Sequence, residues 1–467
     1  MNFDNPSVSD GGVFQGFGTS LCWWANRVGY SPALTEKCAR LFFSPDGINL
    51  NIMRYNIGGG DNPSHRHIKR TDSIIPGWAT LNEDTGTLSY DYNADKNQLN
   101  VLSACYKSAN NPIVELFSNS PPYFMTESGC SSGHFDAKKD NLKRDCYEEF
   151  SQYLAHVTEY INNTLKIKVT SLSPMNEPNT SYWEYKSPKQ EGCHFDKGES
   201  QNKILCLCHK ALEEKELRDI EIVASDETST DKAIESILHY SAETKSFLKR
   251  INAHTYGTDK AEKLQPLCKK EGYNLWMSET DWGDTCGKNA GQMGAGLWLG
   301  EKIIKDINTL SPSAWILWQV IDYHKSKDGY CGNVDSGIPD KEKGFWGLAF
   351  ADHDAEEIIL TQKYYCMGQF SKFIGFADTI YHIDKNVLCA HNGKETKIVT
   401  VNSKKETEPI KISLKNTQKS YSNVKAYRTS GTVEDGECIQ LITNEAIDNN
   451  CYQTYLKPNS VTTFIFE

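Results

Sequence analysis

Two glutamates stand directly after short apolar runs, at the points where buried strands are expected to end. Glu177 follows the run LKIKVTSL and lies between Asn176 and Pro178 in the segment SLSPMNEPN. Because proline has no N–H and fixes its own φ, Pro178 ends regular strand pairing and leaves Glu177 facing a cleft. Glu279 ends a second run, YNLWMSET. The sequence therefore predicts two carboxylates at the ends of strands.

Two carboxylates held apart across a cleft are what hydrolysis of a glycosidic bond requires. One stays protonated and donates to the leaving oxygen, while the other stays ionised and attacks the anomeric carbon. In an enzyme that retains the anomeric configuration, the two carboxyl groups lie about 5–5.5 Å apart. The amide of Asn176 can hold a sugar 2-hydroxyl beside the reacting carbon, which favours Glu177 as acid/base and Glu279 as nucleophile. The competing interpretation of either glutamate alone is a solvated surface charge.

The elements that would position these glutamates are eight short apolar runs that alternate with amphipathic segments. The runs cover residues 13–21, 48–58, 112–122, 166–178, 220–228, 251–257, 273–280 and 313–322. Eight strand–helix alternations are typical of a closed (β/α)8 barrel, so we predict a TIM barrel over residues 13–370. Enzymes with this fold build their sites at the C-terminal rim, where the ends of the fourth and seventh strands face each other.

The pattern of apolar and polar residues changes after the predicted barrel. Residues 371–467 alternate apolar and polar residues between turn signals, as in NSVTTFIFE, which predicts antiparallel strands. No Pro/Gly-rich linker precedes them. We therefore predict a side β-sandwich domain packed on the barrel, formed by residues 371–467 together with residues 1–12.

Composition and charge exclude several classes of partner. The net charge is −11 and no basic stripe is present, which argues against nucleic acid. No window of about 18 apolar residues exists, so no membrane span is expected. Aromatic residues make up 11% of the chain, which suits a cleft for an oligosaccharide or polysaccharide, although most of them are expected in the core.

The fifteen cysteines are irregularly spaced and odd in number. With no basic or apolar segment at the N-terminus, this pattern favours reduced thiols and a cytoplasmic protein. A secreted protein without its signal peptide is the alternative. The motif CLCHK, with Cys206, Cys208 and His209, lies in a helical pattern and lacks standard zinc spacing. We therefore interpret its thiols as buried helix residues, and we expect neither a metal nor a cofactor.

Longer motifs make the predicted chemistry more specific. SLSPMNEPN and WMSETDWGD resemble the acid/base and nucleophile motifs of clan A glycoside hydrolases, while FQGFGTSLCWWA, QEGCHF and YYCMGQFSKFI resemble glycoside hydrolase family 30. The likeness covers nearly the whole chain and is nearest to the endo-β-1,6-galactanase branch of the family. It implies a barrel fused to a side β-domain and retaining cleavage of β-1,6-linked galactan or galacto-oligosaccharides.

The resemblance also implies roles for residues around the two glutamates. Asn176 matches the asparagine that holds the 2-hydroxyl, and Arg54 matches an arginine that keeps the nucleophile ionised. Tyr256 matches a tyrosine that touches the nucleophile, and Trp318 matches the floor of a sugar subsite. Without the resemblance, Arg54 is equally an ion pair inside the barrel and Trp318 a core residue.

Five further residues are predicted to bind substrate. Trp23 and Trp24 lie at the end of the first strand, where one of them can stack on a sugar face while the other lies in the core. Glu191, in QEGC, is predicted to lie over the substrate, with hydrogen bonding to loop backbone as the alternative. Asp61 and His254 complete the set.

Two alternative functions remain open at this stage. The first is an exo-acting β-glycosidase of the same family, cleaving glucosides, fucosides or xylosides. The second is a barrel that binds carbohydrate without hydrolysing it, and the presence of both glutamates argues against this reading.

Overall fold

The computed structural model describes residues 7–281, 292–329, 346–414 and 419–467. Its strands are β1 Ser7–Val13, β2 Gly16–Ser20, β3 Ile52–Asn56, β4 Ala79–Asn82, β5 Thr87–Tyr90, β6 Ile113–Phe117, β7 Val169–Ser173, β8 Glu221–Ile222, β9 Ala224–Ser229, β10 Arg250–Gly257, β11 Asn274–Thr280, β12 Ala314–Leu317, β13 Ile321–Lys325, β14 Ala349–Asp352, β15 Glu357–Leu360, β16 Thr379–His382, β17 Val387–His391, β18 Thr396–Asn402, β19 Glu408–Ser413, β20 Asn423–Ser430, β21 Glu437–Ala446, β22 Cys451–Leu456 and β23 Ser460–Phe466. Its α-helices are α1 Trp24–Val28, α2 Pro32–Cys38, α3 Lys96–Ser108, α4 Tyr147–Glu159, α5 Glu199–Glu214, α6 Thr230–His239, α7 Ala242–Phe247, α8 Ala261–Glu271, α9 Met293–Leu310 and α10 Gln362–Ser371.

The largest sheet is parallel throughout and closes into a barrel. Its strand order is β8-β7-β6-β3-β2-β12-β11-β10-β9. The two edge strands, β8 and β9, are parts of one run separated only by Val223, whose N–H donates to the carbonyl of Leu172 in β7 at 3.0 Å. The fifth strand of the barrel therefore pairs with β7 through its first part and with β10 through its second. This arrangement confirms the predicted TIM barrel.

Barrel strands and surrounding helices follow the apolar patterns of the sequence. Strands β3 and β12 are buried at every position, as expected for parallel strands covered on both faces. Helix α9 buries Leu299, Ile303 and Ile307, which recur at helical spacing along the face turned to the barrel. Within the described part of the chain, we find no helix with the length and hydropathy needed to span a membrane.

The side domain is a β-sandwich, as predicted. Its main sheet has the order β1-β16-β17-β18-β23-β20-β21, and β19 pairs with β22 in a second, two-stranded sheet. Ile398 and Phe464 of the main sheet share an apolar cluster with Ile412 and Tyr452 of the smaller one. Strand β1 pairs antiparallel with β16, so the start of the described chain joins the side domain, while residues 1–6 of the predicted N-terminal segment lie outside the described residues.

The barrel brings polar residues from distant parts of the sequence to one rim. In parallel β-barrels, the carboxyl ends of all strands lie on the same face. The residues placed there, or just inside, come from β3, β9, β10 and β11 and from the segments that follow β7 and β12: Arg54, Asp226, His254, Tyr256, Glu279, Asn176, Glu177 and Trp318.

Candidate active site

Glu177 and Glu279 converge on one point at the mouth of the barrel. A carboxylate oxygen of each lies within 4.8 Å of the other, and a ring nitrogen of His254 lies within the same distance of both. Both glutamates are largely buried, with 8% and 4% of their surfaces exposed. Two carboxylate oxygens at most 4.8 Å apart fit the spacing of about 5–5.5 Å between the carboxyl groups of retaining glycosidases.

The backbone at Glu177 is held in an uncommon conformation. Its φ is +47°, in the left-handed region that non-glycine residues rarely adopt. Its N–H donates to the carbonyl of Asp226 at 2.8 Å, and its own carbonyl accepts from Trp183 Nε1 at 3.0 Å and from Thr180 Oγ1 at 2.8 Å. These bonds turn the chain after β7 and fix the carboxylate over the barrel mouth.

The Glu279 carboxylate lies within reach of three donors. Tyr256 donates its hydroxyl to Oε1 at 3.1 Å, and Arg54 Nη1 lies 3.4 Å from Oε2. His254 Nδ1 lies 3.5 Å from Oε1. The neighbouring Glu177 accepts from His254 Nδ1 at 3.1 Å and from the hydroxyl of Tyr182. His254 therefore stands between the two carboxylates and can donate to either.

A network of buried charges supports the pair from inside the barrel. Arg54 is fully buried and donates to Glu115 at 2.9 Å, and it also pairs with Asp226. Glu115 in turn pairs with Arg250. The network and the pair together contain four carboxyl groups and three cationic groups: Glu115, Glu177, Asp226, Glu279, Arg54, Arg250 and His254. One proton shared by Glu177 and Glu279 would make this set neutral, which suits a site shielded from water.

The imidazole of His254 is held in its charged form. Burial alone lowers its pKa, but the carboxylates of Glu279 and Asp226 outweigh burial and raise the pKa to about 10. Its Nε2 lies 3.1 Å from Asp226 Oδ1, while Nδ1 faces the two glutamates. Both ring nitrogens therefore donate, as an imidazolium does.

The two glutamates have opposite pKa shifts. Burial, the charge of Glu177 and the charge of Asp226 raise the pKa of Glu279 to about 7, against the opposing effects of His254 and Arg54. Burial also raises the pKa of Glu177, but hydrogen bonds from His254 and Tyr182 outweigh it and the net shift is downward. In the free protein these shifts favour a proton on Glu279 over one on Glu177, whereas the roles predicted from the sequence require it on Glu177.

A cleft of about 560 Å³ opens above the pair. Trp23 and Trp318 meet edge to face in its wall, with ring centroids 5.0 Å apart. The side-chain oxygen Oδ1 of Asn176 is buried and has no hydrogen-bond partner among the described residues. The residues that line the cleft are Trp23, Arg70, Asn176, Glu177, Tyr182, Trp183, Ser187, Lys189, Gln190, Thr228, Tyr256, Glu279, Trp318, Asp322 and Trp346. An aromatic wall with a few polar groups is a surface suited to a sugar.

Most of the predicted substrate-binding residues lie at or beneath this cleft. Asn176, Tyr256, Trp318 and Trp23 line it. Arg54 and His254 are fully buried below it and touch the glutamates rather than the open space. Their positions fit a role in setting the charge of the pair.

Three of the predicted residues lie elsewhere. Trp24 is fully buried in the core and donates its indole N–H to the carbonyl of Ser20, so it is the member of the tandem pair that belongs to the core and does not line the cleft. Glu191 is buried and accepts from the N–H groups of Gly59 and Gly60 at 3.1 and 2.9 Å, which is the alternative left open by the sequence. Asp61 does not line the cleft and instead faces two histidines, with His65 Nδ1 3.1 Å from its Oδ2.

Several cleft residues were missed by the sequence analysis. Tyr182 and Trp183 line the cleft and follow the predicted acid, Glu177, within a few residues. Arg70 and Asp322 also line it and form a largely buried ion pair, with Arg70 Nη2 2.8 Å from Asp322 Oδ1. The aromatic pair in NTSYWEY was a signal available in the sequence, since aromatic residues next to a catalytic strand end commonly contact sugar. Arg70 had no such signal, because nothing local distinguishes it from a surface arginine.

The fold and the site together define a class of enzyme. A TIM barrel with two facing glutamates at the carboxyl ends of its strands is the arrangement of a glycoside hydrolase. The chain belongs to glycoside hydrolase family 30, since residues 7–331 match the family described as O-Glycosyl hydrolase family 30. The family resemblance predicted from the motifs is thereby confirmed.

Two curated relatives are similar to this chain. An endo-β-1,6-galactanase of Hypocrea rufa is 28% identical over 484 residues, covering 98% of this chain and 92% of that protein. An exo-β-1,6-galactobiohydrolase of Bifidobacterium longum subsp. longum is 25% identical over 447 residues and matches 75% of this chain. The match spans only 29% of the length of that second relative.

Solved structures with the same fold include a conserved exported protein from Bacteroides fragilis, with a TM-score of 0.78 and 20% identity. That match covers 98% of this chain and 99% of the other. A glycoside hydrolase family 30 subfamily 8 xylanase from Clostridium acetobutylicum has a TM-score of 0.68 and 20% identity, covering 99% of this chain and all of that one. At this identity the likeness bears on the fold alone.

Proposed function

We propose that this protein is a retaining β-glycoside hydrolase that cleaves β-1,6-linked galactan or galacto-oligosaccharides. The observation that carries the proposal is the approach of Glu177 and Glu279 to within 4.8 Å across the barrel mouth. That distance is too short for a water molecule to attack between the carboxyl groups as in inverting enzymes, which need about 6.5–9.5 Å. It suits direct attack by one carboxylate on the anomeric carbon.

In the proposed double displacement, Glu279 is the nucleophile and Glu177 the acid/base. Glu279 attacks the anomeric carbon while Glu177 donates a proton to the leaving oxygen, which leaves a covalent glycosyl–Glu279 ester. Glu177, now ionised, removes a proton from water, and the water breaks that ester with a second inversion. The Oδ1 atom of Asn176, which has no hydrogen-bond partner in the described part of the chain, can accept from the sugar 2-hydroxyl during both steps.

The proton must move from Glu279 to Glu177 before this sequence begins. A leaving-group oxygen that approaches Glu177 takes the place of the Tyr182 hydroxyl, so Glu177 loses one of the donors that lower its pKa. The Nδ1–H of His254 can then turn from Glu177 to Glu279, since it lies 3.1 and 3.5 Å from their Oε1 atoms. Substrate binding thus favours an ionised Glu279 beside Arg54 and Tyr256.

The choice of sugar and linkage rests on the relatives. The names of both relatives specify β-1,6-linked galactose, and one of them matches this chain over nearly its full length. The tryptophan wall formed by Trp23 and Trp318 offers an apolar plane to the C–H face of a galactose ring.

The test is a single panel of substrates with the anomeric form of the first product followed by NMR. The panel holds aryl β-galactoside, β-glucoside, β-fucoside and β-xyloside with a ladder of β-1,6-galacto-oligosaccharides. We expect β-configured products from the galactosyl substrates and oligosaccharides at early times. Glu279→Gln, which keeps the side-chain volume, is the matched inactive control.

Each other outcome changes one part of the proposal. An α-configured first product would overturn retention. Monosaccharide alone at early times would establish the exo-acting alternative, and hydrolysis of another glycoside without galactoside cleavage would replace the sugar. Equal inactivity of the wild type and Glu279→Gln on all substrates would favour a carbohydrate-binding barrel.

A further inference from the structure

A cluster of metal-binding side chains lies away from the catalytic pair, and it was absent from the sequence-based expectations. Asp61, His65, His67 and Cys130 each place one ligand atom within 4.8 Å of the other three. The three residues at 61, 65 and 67 come from the segment that follows β3, and Cys130 comes from the segment that follows β6. We propose that this Asp–His–His–Cys cluster binds a zinc ion.

The distances within the cluster are close to those of a metal site. The Nδ1 atoms of His65 and His67 lie 3.1 and 3.4 Å from the same oxygen, Asp61 Oδ2. The thiol sulfur of Cys130 lies 3.6 Å from Nε2, the other ring nitrogen of His67, and within 4.8 Å of a ligand atom of each of the other three residues. In a tetrahedral zinc site with bonds of about 2.0–2.3 Å, ligand atoms stand roughly 3.3–3.8 Å apart. The cluster needs to contract by only about 1 Å at its widest to bind zinc with this geometry.

One ring nitrogen of the cluster has no hydrogen-bond partner. His67 Nδ1 is buried, makes no hydrogen bond among the described residues and faces the interior of the cluster. The side chain of His67 is only 9% exposed, and Cys130 is fully buried. A buried polar atom without a hydrogen bond is costly, because in exchange for water it has only the contact at 3.4 Å with Asp61 Oδ2. A cation at the centre of the cluster would satisfy it.

Neighbouring groups already hold the ligands in place. The N–H of Ser131 donates to Asp61 Oδ1 at 3.0 Å, which leaves Oδ2 to the cluster. Ser132 Oγ lies 2.9 Å from His67 Nε2 and 3.1 Å from Cys130 Sγ. Hydrogen bonds of this kind orient ligands around metals and fix the tautomer of a ligating histidine.

The donor types select the kind of metal. Two imidazoles and a thiolate are nitrogen and sulfur donors, which calcium and magnesium avoid and zinc prefers. Four protein ligands fill a tetrahedron, so the site has the composition of a structural zinc rather than a catalytic one.

The position of the cluster indicates what the zinc would do. It would join the segments after β3 and β6, and both of these contact the segment that forms one wall of the cleft. The N–H of Lys69 donates to the carbonyl of Pro188 at 3.0 Å, and the N–H of Gly192 donates to the carbonyl of Ser131 at 2.9 Å. The zinc would therefore hold together the two segments that support Lys189 and Gln190, which line the cleft.

The test measures zinc directly on the full chain. Protein produced in zinc-supplemented medium and dialysed is expected to hold about one zinc per chain by elemental mass spectrometry, as a closed four-ligand site does. Cys130→Ser and His65→Gln should each weaken zinc retention by about tenfold or more. Cys146→Ser removes a half-buried thiol from the same segment and is the matched control, with zinc content unchanged.

Two further readouts separate a metal site from a merely structural role. Cobalt(II) in place of zinc should give a thiolate-to-metal charge-transfer band that Cys130→Ser abolishes and Cys146→Ser keeps. A chelator should lower the Tm of the wild type by a few degrees and leave that of Cys130→Ser unchanged. If Cys130→Ser does not fold by circular dichroism, His65→Gln decides the question. A folded wild type without zinc above the buffer blank, or equal zinc in both cysteine variants, would overturn the proposal.

Discussion

The hydroxyl of Tyr182 donates a hydrogen bond to Oε2 of Glu177, the first charged residue of the same segment. The segment after β7 thus folds back on its own start, and the partly exposed tyrosine covers the carboxylate in the free protein. Together with His254 this bond lowers the pKa of Glu177, against the effect of burial. Removal of the tyrosine hydroxyl is therefore a direct way to change the acidity of the proposed acid/base.

Tyr182→Phe should move the alkaline limb of the kcat/KM profile to higher pH. The substitution removes a donor that favours the charged form of Glu177, so its pKa rises and the singly protonated pair persists to higher pH. The measurement is kcat/KM on an aryl β-galactoside across the pH range. Tyr185→Phe, in the same segment but with its ring packed against Phe135 at a centroid distance of 4.6 Å, is the control. A profile that is unchanged, or shifted to lower pH, would contradict the role of Tyr182.

The wild type should lose kcat/KM as the pH rises through about 7. Burial and the charge of Glu177 raise the pKa of Glu279 to about 7, so the pair of glutamates should lose its last proton near this pH. Above that pH both carboxyl groups are ionised, and no acid remains to protonate the leaving oxygen. Unfolding midpoints measured at the same pH values exclude loss of structure. Constant activity up to about pH 9 would show that the pair is not the titrating acid.

Azide rescue should distinguish the roles of the two glutamates. The test is needed because, in the protein without substrate, the pKa of the proposed acid Glu177 is lowered and that of the proposed nucleophile Glu279 is raised. Glu279→Gly should lose nearly all activity and, with azide, form an α-glycosyl azide, because azide takes the place of the missing nucleophile. Glu177→Ala should lower kcat/KM by about 10²–10⁴ on substrates with poor leaving groups. With azide and a dinitrophenyl β-galactoside it should form a β-glycosyl azide. The reverse stereochemistry would exchange the two roles.

Trp23→Phe and Trp24→Phe should have different effects although the residues are neighbours. Trp23 lines the cleft and packs edge to face on Trp318, so its truncation should raise KM for galacto-oligosaccharides several-fold. Trp24 lies in the core against Phe42, so its truncation should lower the free energy of unfolding by about 1–3 kcal/mol and leave KM unchanged.

Steady-state kinetics and urea unfolding of both variants make the comparison. The two substitutions are chemically identical, so each variant serves as the control for the other. Equal changes in KM would mean that Trp24 also contacts substrate, and equal losses of stability without a change in KM would place Trp23 in the core as well.

The barrel and the two glutamates could be predicted from the sequence because both depend on local patterns of apolar and polar residues. The alternation of buried strands and amphipathic helices predicted the barrel, because each element must bury an apolar face that recurs at its own period. Glu177 and Glu279 were found because each follows an apolar run, and one of them precedes a proline. Strand ends in a parallel barrel share one rim, so the meeting of these residues followed from the fold class.

Local patterns failed where two neighbouring or similar residues face different environments. Nothing in the sequence distinguishes Trp23 from Trp24, because they are identical neighbours. In the structure, helix α1 begins at Trp24, and the change of backbone direction there points one indole to the cleft and the next to the core. Asp61 looked like a cleft residue, but it faces His65 and His67. The side of the backbone on which a loop residue lies depends on contacts with segments far away in the chain.

The sequence by itself determined the class of fold, the two catalytic candidates and the family, since these depend on periodicity and on motifs read along one strand. Tertiary structure decided the charge of the pair, because His254, Arg54 and Tyr182 reach the two glutamates from different elements. It also decided the metal-binding cluster, which requires Cys130 to meet a segment about sixty residues earlier. Such encounters arise from long-range packing, in which burial and paired charges select one arrangement of loops that no local pattern specifies.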